Sequence, residues 1–188
     1  MEEKIYTSEL AGHCNASTAW QILKEVSESL IDKGLRSINP CCIEISDDGR
    51  FLVTAEGSDF QDTFNAPENA DGQLNEAGTV WSLGATVFYI VMGCQVMNGK
   101  GGKGQRENSR LPYMRSEWPK LSELIQQCLN FKPNKRPSLQ EIRDKASEQH
   151  KFFVELIQRG PKIKTINQTT SSKTEPDQED LAFWPDKM

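Results

Sequence analysis

Thr79-Val80-Trp81-Ser82-Leu83-Gly84-Ala85-Thr86-Val87-Phe88-Tyr89-Ile90-Val91-Met92-Gly93 is the stretch on which the fold turns. It is apolar nearly all round, yet at about fifteen residues it falls short of the roughly twenty that a bilayer-spanning helix needs. The pattern predicts a fully buried helix around which everything else packs. Thr86 to Val91 alone has the composition of a strand, but the uninterrupted length and the closing Gly93 select a helix.

Upstream, Trp20, Leu23, Val26, Leu30 and Ile31 fall near the three-to-four spacing of one helix face, which predicts a helix capped at Ser17 or Thr18, running to about Lys33 and ended by Gly34. Ile43 and Ile45 then alternate with polar residues, Asp47-Asp48-Gly49-Arg50 supplies turn chemistry, and Phe51-Leu52-Val53 resumes the apolar run. That is the signature of one short β-hairpin, the single strand pair the sequence supports. Downstream, the glycine-rich basic run from Lys100 to Arg106 sits in a polar loop over residues 94–110 and reads as a solvated surface loop. A helix follows near Trp118 to Asn130, with Leu121, Leu124, Ile125, Cys128 and Leu129 on its inner face, and another begins after Pro137-Ser138. Beyond Gly160-Pro161 no apolar period returns until Leu181-Ala182-Phe183-Trp184. Residues 1–164 therefore read as one domain, mainly α with a little β, and 165–188 as a flexible polar tail.

The chain's 188 residues suffice for one domain with a substantial core, and its net charge of −5 provides no evident surface for nucleic acid or anionic lipid. The acidic start Met1-Glu2-Glu3-Lys4 is followed by no apolar secretory segment, so the expected location is the cytoplasm. The five cysteines are odd in number and lack a Cys-x-x-Cys pair, which supports neither a disulfide framework nor a zinc site; they read as small buried hydrophobes.

Three motifs in order, Ala66-Pro67-Glu68, then Val80-Trp81-Ser82-Leu83-Gly84, then Cys128-Leu129-Asn130-Phe131-Lys132-Pro133-Asn134-Lys135-Arg136-Pro137-Ser138, resemble the C-lobe of protein kinases over residues 17 to about 150. The resemblance implies a kinase C-lobe-like helical domain, and within it a buried ion pair between Glu68 and Arg136, the alternative being two unrelated surface charges. It also implies that the catalytic positions are degenerate. Aligning Ile38-Asn39-Pro40-Cys41-Cys42-Ile43 with the family's Leu-Lys-Pro-Glu-Asn-Ile puts Ser37 where the catalytic aspartate belongs and Cys42 where the magnesium-binding asparagine belongs. Ala55-Glu56-Gly57 then occupies the Asp-Phe-Gly site, with Ala55 in place of the metal-binding carboxylate; a rival register through Asp59-Phe60 leaves almost no activation segment before Ala66. Thr79 stands where kinases usually carry an aspartate bracing the catalytic loop.

The short approach to the first helix contains no Gly-rich loop and no Val-Ala-Ile-Lys strand, and the glycines at 99, 101, 102 and 104 lack the Walker Lys-Ser or Lys-Thr. The expected architecture thus lacks an N-lobe and resembles the KIND family, the kinase non-catalytic C-lobe domain, a likeness to which Ser8-Glu9-Leu10 before Ala19-Trp20 adds. What this implies is no enzyme and no cofactor or metal, but a module that binds a protein or peptide. Two alternatives accompany it: a residual nucleotide-binding pseudokinase completed by an N-lobe in trans, and a scaffold docking through Phe183 and Trp184 of its tail, unless that tail folds back on its own domain.

Overall fold

Asn15, rather than Ser17 or Thr18, opens the first helix in the computed structural model: its Oδ1 accepts from the Thr18 N–H at 3.0 Å, and α1 runs Ala16–Lys33. Ser17 and Thr18 are equally good capping types, but the chain is already helical at both. Gly34 ends the helix, as expected. The buried face carries Trp20, Leu23, Val26 and Leu30, while Ile31 lies 40% exposed at the solvent edge, contrary to its expected place on that face. The structure describes residues 4–34, 37–54, 61–71, 75–111, 113–114 and 117–159.

The hairpin forms as β2, Ile43–Ile45, and β3, Phe51–Val53, joined to a strand the sequence did not disclose, β1, Ile5–Tyr6. The order is β1-β2-β3, antiparallel throughout, with Ile5 opposite Ile45, and Ile43 and Ile45 opposite Val53 and Phe51. Two residues are too few to show alternation, so β1 has no periodic signal. α1 holds the hairpin directly: Glu25 accepts from the Phe51 N–H at 2.7 Å, and Gln21 donates to the Gly49 carbonyl at 3.0 Å.

The decisive stretch is α2, Glu76–Met92, beginning three residues earlier than its apolar run because Asn75 caps it onto Gly78 at 2.7 Å. Gly93 closes it in the left-handed region at φ 71°. Every residue from Gly78 to Phe88 is buried, and the helix is flanked by α1 and by α4, Pro119–Cys128. Gly84 permits that approach, since a Cβ there would stand 2.7 Å from the Cys128 Cβ. The last helix, α5, Leu139–Arg159, lies along α1 and completes one continuous core from Cys14 to Ala146.

The region 94–110 departs from a simple solvated loop. It contains a 3-10 turn at Val96–Gly99 and a short helix, α3, Gly101–Gly104. Gly101, Gly102 and Gln105 are buried, while Lys103 and Arg106 do face solvent. Gly102 donates to the Asn65 carbonyl at 3.0 Å, and a Cβ on it would come within 2.4 Å of the Ala66 carbonyl carbon, so only glycine lets this segment cover the Ala66-Pro67 backbone. The cysteines divide as well. Cys14, Cys42 and Cys128 are buried, and burial pushes the Cys14 and Cys128 thiols up to about 12, but Cys41 is half-buried and Cys94 exposed.

Candidate functional site

The loop that follows α1 is held from below by α2. The Ile38 N–H donates to Ser82 Oγ at 3.1 Å, and Thr86 Oγ1 lies 3.1 Å from the Ile38 carbonyl and 2.8 Å from the Ser82 carbonyl, sharing one proton between them. Ser82 in turn donates to the Thr79 carbonyl at 2.9 Å. Both backbone groups of the buried Ile38 are thereby satisfied by hydroxyls of an otherwise apolar helix, as burial demands. On the other side, Thr7 donates to the Pro40 carbonyl at 2.8 Å, and Asn39 caps the turn Pro40–Cys42 by accepting from the Cys41 N–H at 2.8 Å.

On this anchored loop Ser37 is half-buried and its hydroxyl donates to Asn65 Oδ1 at 2.8 Å. Cys42 is buried at the start of β2, its carbonyl accepting from the Thr54 N–H at 2.8 Å. Between them, Ile38-Asn39-Pro40-Cys41 carries no carboxylate. A neutral serine hydroxyl is far too weak a base to take a substrate proton as a carboxylate does, and a thiol is a soft ligand where magnesium takes oxygen. Among the described residues no three His, Cys, Asp or Glu side chains converge as a metal-ligating group. Leu35 and Arg36, the Ala55-Glu56-Gly57 triplet with its rival Asp59-Phe60, and Phe183 and Trp184 lie outside the described residues.

Glu68 and Arg136 do come together. The Arg136 Nη1 and Nη2 donate to Glu68 Oε1 and Oε2 at 2.5 and 2.9 Å, a fork-on-fork pair in which the Arg136 side chain is fully buried and Glu68 is 25% exposed. Arg136 also donates to the carbonyls of Asn130, Ala77 and Phe131, at 2.7, 2.8 and 3.2 Å. One side chain therefore ties the 3-10 turn Pro67–Asp71, the first turn of α2 and the segment leaving α4.

Thr79, at the expected bracing position, is wholly buried, and its Oγ1 has no hydrogen-bond partner among the described residues. An unsatisfied buried hydroxyl costs about 1–3 kcal/mol, and a methyl of the same shape removes that cost. Thr79→Val should therefore leave stability unchanged or raise it by about 1 kcal/mol in urea unfolding; a loss above about 1.5 kcal/mol would show that the hydroxyl is engaged.

Sequence reasoning passed over Asn65, Ser82, Thr86 and Gln105. The last is buried, accepting from the Trp81 indole N–H at 2.9 Å and donating to the Leu129 carbonyl at 2.6 Å. The spacing of Thr79, Ser82 and Thr86, three and then four residues apart, was the available signal: a hydroxyl stripe on one face of an apolar helix.

These features share one arrangement: a loop seated on a buried helix, a hairpin after it, and an Ala-Pro-Glu turn locked to a distant arginine. No curated protein matches the sequence. A family model does, that of protein tyrosine and serine/threonine kinase, over residues 41–146, from the hairpin through α2 and α4 into α5. As the match spans more than half of the sequence and all of the Glu68–Arg136 architecture, the chain belongs to the protein tyrosine and serine/threonine kinase family.

Proposed function

We propose that this kinase-family chain is a non-catalytic module that binds or regulates another protein, of the KIND type. The observation that carries the reading is Ser37: at the position aligned with the catalytic base, its hydroxyl proton is directed to Asn65 Oδ1 and no carboxylate stands in the loop that follows. General-base catalysis of phosphoryl transfer requires a group that takes a proton from the substrate hydroxyl, and magnesium requires hard oxygen ligands, for which Cys42 is unsuited. The fold is retained while the aligned chemistry is not, and what such a scaffold still offers is surface. Its partner on this reading is a protein or peptide rather than nucleic acid or membrane, in keeping with the net charge of −5, and its place is the cytoplasm. No helix among the described residues is long and apolar enough to cross a membrane.

Calorimetric titration of ATP into the chain, with and without magnesium, tests it. The expected result is no heat at millimolar nucleotide and an unchanged melting temperature. Saturable, magnesium-dependent binding would overturn the reading and support a residual nucleotide-binding pseudokinase.

A further inference from the structure

The second half of α5 outruns its cover. Leu139, Ile142 and Ala146 are buried, but Phe152, Leu156 and Ile157 are 57%, 54% and 69% exposed. Between this end of α5 and the starts of α1 and α4 lies a groove of about 260 Å³, lined by Ala16, Trp20, Trp118, Leu121, Phe152 and Phe153. Phe152 and Phe153 meet edge to face, with centroids 5.6 Å apart. The groove is at the opposite end of α1 from Ser37, roughly 25 Å away along an 18-residue helix, so it is no part of the site described above.

We propose that the apolar cluster Leu181-Ala182-Phe183-Trp184 of this same chain docks in that groove and covers the end of α5. The connection has the right length. α5 ends at Arg159, about 9 Å of helix rise beyond Phe153. The intervening stretch 160–180 is largely polar, and a coil of that many residues would span about 25 Å root-mean-square, enough to turn back over the last turns of α5. A tether of that kind holds the cluster at roughly millimolar effective concentration, so a weak apolar contact suffices. The chemistry matches as well, since residues 165–180 contain no other apolar cluster and the groove is lined mostly by aromatic and aliphatic side chains, with Glu117, Lys120 and Gln149 among them. Lys120 and Glu117 both line the groove, so the acidic pair Glu179-Asp180 that precedes the cluster in sequence meets one charge of each sign there and the docking rests on the apolar contact. The proposal stands independently of whether the chain binds nucleotide.

Hydrogen exchange on the full chain tests it. Amides over 150–157 should exchange about tenfold faster in a Phe183→Ala/Trp184→Ala variant than in the parent, because the fraying turns lose their cover. Reciprocally, a Phe152→Ala/Leu156→Ala/Ile157→Ala variant alters side chains that are exposed, so its folding is spared, and it should abolish protection at 180–185. Sedimentation should find a monomer throughout. Equal exchange in parent and tail variant would overturn the proposal, as would protection of 150–157 that grows with protein concentration and survives the tail variant, which would make a second copy the occupant.

Discussion

Arg136→Ala should lower the unfolding free energy by about 3–5 kcal/mol in urea titration, and Arg136→Lys should recover less than half of that. The guanidinium is fully buried and each of its nitrogens is engaged, two of them on the Glu68 carboxylate and the set together on three backbone carbonyls. Alanine leaves Glu68 without its counter-charge in a partly dry site and leaves the carbonyls of Ala77, Asn130 and Phe131 without this donor. Lysine supplies charge but cannot reach both carboxylate oxygens and those carbonyls from one point. A loss under about 1 kcal/mol would place the pair in the class of screened surface bridges and remove its architectural role.

Trp81→Ala should cost a comparable amount, about 3–5 kcal/mol, and Trp81→Phe about 1–3 kcal/mol. The two substitutions separate packing from hydrogen bonding. Trp81 is completely buried in the middle of α2, and its indole N–H is the donor that satisfies the Gln105 amide oxygen at 2.9 Å. Phenylalanine keeps most of the volume and leaves that oxygen orphaned; alanine also opens a cavity in a core that α1, α4 and α5 close from several sides. Urea midpoints at unchanged slope measure both. Equal losses for the two variants would mean that the hydrogen bond, and not the packing, is what the residue contributes.

The parts of this fold that were legible are those whose signal is local and one-dimensional. α2 declared itself because an apolar run of that length has few other destinations, and the hairpin because Asp47-Asp48-Gly49-Arg50 is turn chemistry between alternating residues. Glu68 and Arg136, 68 residues apart, were brought together only by the likeness to kinases, for no local pattern announces a pair so distant. What escaped was set by tertiary contact. β1 is a strand because β2 offers it an edge, and the helix start moved to Asn15 because several capping types stand in a row. In the site, Ser82 and Thr86 look unremarkable in sequence because a helical hydroxyl ordinarily bonds its own preceding turn, which both also do. Their second duty toward Ile38 depends on a loop 44 to 48 residues upstream. Gly102 sits in a run that reads as a solvated loop, and the Ala66-Pro67 backbone it approaches appears only in three dimensions.

The central position of α2 carries a consequence for synthesis. The helix is the most apolar of the described helices, yet α4 and the arginine that locks its first turn lie downstream. A ribosome that has released α2 but not residues 119–146 presents an apolar rod with α1 as its main cover, and Glu68 waiting for a partner not yet made. Vectorial emergence thus runs against the order of burial, and the interval after Gly93 has left the ribosome but before residues 119–146 have is when this chain should be most exposed to aggregation and most dependent on chaperones that hold nascent apolar helices.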